Sequence, residues 1–195
     1  MRSSSWSDLV EIIRQHDVPM FHAFGIFLEG WAASKLKGGR HGFEDMLRGV
    51  DRLRQQGILL FDGLLKMELA KIEVQEGDFD RAIATVDEGL ATSDRTGYRA
   101  FEAELHRVRG EMLLKRDPSD PASAAEALGT AIAVAKQQGT RSFELRAALS
   151  LAKLYQSTAR PAEAHDVLAP ALEGFSPTSE MPEVAEGQAL MERLA

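Results

Sequence analysis

The chain has no cysteine among its 195 residues. That excludes disulfide staples, thiolate nucleophiles and cysteine-bound zinc. Long apolar runs are missing too. The most extended one, Val18 to Leu28, is interrupted by His22 and closed by Glu29, whereas a bilayer span needs about 20 apolar residues. The first seventeen residues carry Arg2, Asp8, Glu11, Arg14 and Asp17 and so lack the apolar core of a signal peptide. Positive charge is in deficit: 23 Lys plus Arg stand against 30 Asp plus Glu, a formal net charge of −7. Bulk binding to nucleic acid or anionic membrane rests on phosphate neutralisation and is disfavoured. β signals are equally scarce, with neither sustained alternation nor an Asn-Gly hairpin. What is present is a globular balance of 44% hydrophobic and 27% charged residues. The expectation is a cytoplasmic protein, or a cytoplasmic piece of one.

Internal repetition organises the rest. Gly57-x3-Phe61, Gly97-x3-Phe101 and Gly139-x3-Phe143 share one form, at offsets of 40 and 42 residues. Asp17-x3-Phe21 stands 40 residues before the first of them, with Asp in the place of glycine. Four units follow: 17–56, 57–96, 97–138 and 139–177. Each glycine ends a polar run and suits the left-handed residue that closes a helix. Each unit therefore reads as two helices. Small residues recur in the first helix at Gly30, Ala70, Gly110 and Ala152, and in the second at Gly42, Ala82, Ala124 and Ala164. Four residues after the second set stand Met46, Val86, Leu128 and Leu168; seven after stand Gly49, Gly89, Ala131 and Ala171. Small residues let crossing backbones approach, and the larger residue fills the adjacent gap. Asp120-Pro121 and Arg160-Pro161 put proline at a helix's first position, while Pro170 removes one backbone bond inside a helix and should bend it.

The ends read as caps. Trp6, Leu9, Val10 and Ile13 form an i, i+3, i+4, i+7 stripe, so 1–16 reads as a tail and an amphipathic helix covering the first unit. It looks like the second helix of an absent repeat. At 178–195, Pro182, Glu183 and Glu186 start a helix carrying Val184, Met191 and Leu194, the second cap.

This spacing of small residue, turn, alanine, bulky residue and alanine resembles the tetratricopeptide repeat family, best in Ala152–Tyr155–Ala164–Leu168–Ala171. The unit runs to about 40 residues rather than the usual 34. The expected fold is all-α: a tetratricopeptide-like right-handed α-solenoid of about four helix-hairpin repeats with terminal capping helices. The resemblance implies that the first helices line a concave groove. Positions six before, three before and one after the small residue of each first helix then point into it. They are Phe24, Phe27 and Trp31; Leu64, Met67 and Lys71; Glu104, Arg107 and Glu111; Arg146, Leu149 and Lys153. Apolar residues crowd one end and charges the other, which suits a peptide with an apolar anchor and a charged tail.

No catalytic constellation accompanies the repeat. His16, His22, His41, His106 and His165 lack HExxH or paired-ligand spacing. Glu76-Gly77-Asp78-Phe79-Asp80 fails as a calcium loop, since the twelfth position from Asp78 is Gly89 rather than a bidentate Glu. It reads instead as a turn whose Asp caps the next helix. Lys37-Gly38-Gly39-Arg40-His41-Gly42 lacks the order of a phosphate loop and follows no strand. Catalysis, cofactor and metal are not expected.

The segment Phe101-Glu102-Ala103-Glu104-Leu105-His106-Arg107-Val108-Arg109-Gly110-Glu111-Met112-Leu113-Leu114 is similar to one in the helical-repeat tails of bacterial multidomain regulators. Those regulators carry a nucleotide cyclase or signalling ATPase domain before the tail. Arg141 to Ala148 and Ala164 to Pro170 continue the similarity. It implies a non-catalytic scaffold or sensor that binds a protein or peptide, or the catalytic domains of a parent protein, without contacting nucleic acid or membrane. Exposed repeat ends would also favour self-association. The alternative is a small-ligand sensor in which Phe24, Phe27, Trp31 and Met67 wall an apolar pocket.

Overall fold

The computed structural model describes residues 18–38, 40–176 and 180–194. The cap expected within 1–16 lies outside them. The described residues are all-helical, with no strand among them. The helices are α1 (Pro19–Lys37), α2 (Phe43–Gln55), α3 (Asp62–Gln75), α4 (Phe79–Thr96), α5 (Glu102–Arg116), α6 (Pro121–Gln138), α7 (Arg141–Ser157), α8 (Pro161–Leu172) and α9 (Pro182–Leu194). None is long and apolar enough to cross a membrane.

The helix ends follow from local chemistry. Gly57, Gly97 and Gly139 adopt φ of 73°, 75° and 66°, the left-handed turn that stops each second helix. Asp78 accepts from the Arg81 backbone N–H at 3.2 Å and Asp120 from that of Ser123 at 3.2 Å, capping α4 and α6. Proline opens α6 and α8 at the expected positions. Pro170 sits near the end of α8, which closes at Leu172. The carbonyls freed there are taken by Arg141 at the start of α7: Nη2 donates to the carbonyls of Ala171 at 3.2 Å and Glu173 at 2.6 Å.

Successive helices pack on one another, α1 with α2, α3 with α4, α5 with α6 and α7 with α8, and α6 meets α7 as extensively as α7 meets α8. The crossings are lined by the small residues, with Ala70, Ala82, Ala124, Ala131, Ala152 and Ala164 at 0% exposure. Met46, Val86, Leu128 and Leu168 fill the gaps between them and are equally enclosed. First helices also touch in succession, α3 with α5, α5 with α7 and α7 with α9. Helix α9 thus takes the place of a further first helix and covers α7 and α8 with Val184, Gly187 and Leu190.

The apolar interior is divided. One cluster joins Ala23, Phe27, Phe43, Met46, Val50 and Leu53 to Leu65, Leu69 and Ile72 of α3. The other begins at Met67 and Ala70 on the same helix and runs to Leu190. At this seam α2 touches α3 only slightly, and ion pairs on α3 add to the apolar contact. Arg54 meets Asp62 through Nε–Oδ1 at 2.7 Å and Nη2–Oδ2 at 3.4 Å, and Lys66 pairs with Glu88. The Asp62 and Lys66 side chains are 2% and 3% exposed. Burial pushes the Lys66 pKa down, and the Glu88 bond opposes it.

Candidate functional site

Four first helices, α3, α5, α7 and α9, present polar side chains to one cleft of about 290 Å³. Seven of the twelve groove candidates line it: Lys71, Glu104, Arg107, Glu111, Arg146, Leu149 and Lys153. At its centre Arg107 bonds Glu104 in a fork, Nε–Oε1 3.0 Å and Nη2–Oε2 3.1 Å, and reaches Glu111 at 2.6 Å. Burial alone would lower the Arg107 pKa; the two carboxylates outweigh it and raise it. The network crosses between helices. Ser150 donates to Glu111 at 2.7 Å, and Arg146 lies 3.7 Å from Glu104 and 2.8 Å from Glu183. Lys153 meets Glu186 at 2.6 Å.

The remaining candidates divide by helix face. Phe27, Met67 and Leu149 are 3%, 5% and 3% exposed, so in three of the four units the position three before the small residue points into the core, while in the third Arg107 reaches the cleft. The reason is geometric: residues three apart lie on one face of a helix, and the small residue is itself at a buried crossing. Leu149 only edges the cleft. Phe24 and Trp31 are half-buried and pack on the first cluster. Phe24 meets Phe61 edge to face at 5.3 Å. Because Phe27 belongs to the first cluster and Met67 to the second, the four residues expected to wall a ligand pocket pack into separate parts of the core. Leu64 is exposed.

A second cleft, of about 230 Å³, adjoins the first and shares Lys71, Arg107 and Glu111 with it. It brings in Lys35 and Lys115, which the repeat spacing did not single out. They sit four residues beyond the last position chosen in each first helix, 31→35 and 111→115; that one-turn spacing was the available signal. Glu68, also missed, joins α1 to α3: it accepts from Trp31 Nε1 at 2.8 Å and pairs with Lys71. Burial would raise the Glu68 pKa, but the bonds from Lys71 and Trp31 lower it.

Among the described residues no group of three His, Asp or Glu side chains is placed to hold a metal ion. His106 is half-buried between α5 and α6, where burial depresses its pKa. Its neighbours Arg109 and Arg116 lean away to Asp87 and Asp80 at 2.7 and 3.3 Å.

No protein-family model matches the chain. An uncharacterized protein of Rhizobium meliloti (strain 1021) is 25% identical to it over 146 residues, covering 75% of this chain. The chain spans 14% of that relative's length.

Proposed function

We propose that this chain is a non-catalytic scaffold that docks a protein segment along the face built by its first helices. The repeated hairpins are then a tetratricopeptide-like right-handed α-solenoid, and that face is its concave side. The reading rests chiefly on the convergence of charged side chains from α3, α5, α7 and α9 on one cleft. Stability alone gives little reason to collect ions there, because part-exposed pairs contribute little each. Docking gives a reason, since charged rows set register and choose partners. The short share of the much longer relative supports a module working beside other domains. The regulator-like segment from Phe101 to Leu114 supports a bacterial signalling context.

Affinity capture with the wild type and a Lys71→Glu/Lys153→Glu variant tests the proposal. The expected result is a protein partner that the wild type recovers and the variant loses. Glu126→Lys, on second helix α6, should keep it. A partner lost only through Glu126→Lys, or turnover of a substrate without any partner, would overturn the reading.

A further inference from the structure

We infer that the end of this face formed by α1, α3 and α5 takes an acidic amphipathic helix. The inference rests on the docking reading above and adds the chemistry of the occupant.

Charge is the first observation. The chain as a whole carries −7, yet the smaller cleft is lined by Lys35, Lys71, Arg107 and Lys115 against Glu111 alone. Two of these cations are already answered, Arg107 by Glu104 and Glu111 and Lys71 by Glu68. The other two are answered less directly. Lys35 lies over the Trp31 ring at 5.6 Å and feels Glu68 only through its field, and neither it nor Lys115 makes an ion pair among the described residues. Beneath them the cleft offers apolar surface from Val74, Val108 and Met112.

Spacing is the second. Leu28 and Leu64 are 56% and 36% exposed. Each stands seven residues before a cleft lysine, Leu28 before Lys35 on α1 and Leu64 before Lys71 on α3. Seven residues are two helical turns, about 10 Å along the axis. An apolar row therefore runs beside a cationic row at that separation. A helix with an apolar stripe and a flanking acidic stripe has the width to meet both rows.

The third comes from the other end of the molecule. There α9 buries Val184, Gly187 and Leu190 and sets Glu183 and Glu186 against Arg146 and Lys153. The chain thus already satisfies one half of its cationic face with an acidic amphipathic helix of its own. At the α1–α5 end no described helix does so.

The test uses the full chain and two fluorescein-labelled synthetic helices of 18 residues. Both carry leucine at i, i+3, i+4 and i+7; one has glutamate and the other lysine at the flanking positions. By fluorescence anisotropy the glutamate peptide should bind at least tenfold more tightly than the lysine peptide, and weaken as salt rises. Lys35→Glu with Lys115→Glu should cost a further tenfold, while Arg52→Glu on α2 should leave binding unchanged. Preference for the lysine peptide, lost on Leu64→Asp, would overturn the acidic occupant yet keep the docking face. Failure of both peptides, or binding indifferent to every substitution, would overturn this inference, while the capture experiment with Lys71→Glu/Lys153→Glu decides the docking reading separately.

Discussion

Gly30 and Gly42 meet backbone to backbone where α1 crosses the start of α2. A Cβ on Gly30 would lie 2.8 Å from the Met46 nitrogen, and one on Gly42 would lie 2.7 Å from the Gly30 Cα. The obstacles are main-chain atoms, which cannot rotate aside. Gly30→Ala should therefore destabilise by about 1–3 kcal/mol through overpacking. Gly25 is the control: it lies on the same helix, and a methyl group there would meet nothing within 4 Å. Gly25→Ala should be neutral or raise stability by up to about 1 kcal/mol. Thermal melts should fall for Gly30→Ala and not for Gly25→Ala, and equal shifts would contradict the crossing geometry.

Lys66 gives a second prediction. Its side chain is 3% exposed and its ammonium relies on Glu88. Glu88→Ala should cost about 1 kcal/mol, because Glu88 is itself 65% exposed and water replaces part of the counter-charge it gives to the enclosed cation. Adding Lys66→Met should restore most of the loss, because the enclosed cation is then gone. Urea titrations of the single and double variants measure both steps. A double variant no better than the single one would refute this account.

Arg141 is expected to act at a distance from its own helix. Its guanidinium closes the C-terminus of α8 through the carbonyls of Ala171 and Glu173. Arg141→Met should free those carbonyls and cost about 1–2 kcal/mol. Amide exchange should accelerate selectively at the end of α8 and in α9. Uniform acceleration across the chain would argue against a capping role.

Glu73 supplies the pH dependence. One carboxylate oxygen is buried without a hydrogen-bond partner among the described residues, while the other meets Arg81 at 2.9 Å. Burial pushes this carboxyl above its ordinary 4.5, against the pull of Thr85 and Arg81. A raised folded pKa gives stability that is full below the unfolded value and is lost as pH rises through the folded one. Glu73→Gln does not titrate. The stability of the wild type relative to this variant should therefore fall as pH rises past the ordinary carboxyl range in chemical denaturation. A constant difference would remove Glu73 from the account.

The hairpin beat was legible because backbone conformation wrote it into residue type. Gly57, Gly97 and Gly139 sit at positive φ, and Ala82, Ala124 and Ala164 sit where a larger side chain has no room. Which side chains face the cleft was only half legible. The position of Phe27, Met67 and Leu149 lies one step around the helix from the open face, and spacing alone does not resolve a step that small. The pairs that cross between helices left no local trace. Trp31 and Glu68 stand 37 residues apart and Lys66 and Glu88 stand 22 apart, so their meeting depends on packing angles.

The division of the interior at α3 has a mechanical consequence. Leu65, Leu69 and Ile72 hold the opening hairpin, while Met67 and Ala70 anchor everything downstream. Under load or mild heat the first two helices can peel off as one cooperative unit and leave the rest intact. A ligand bridging Lys35 and Lys115 would rivet the two parts together, so occupancy would be read out as rigidity rather than as a change of shape.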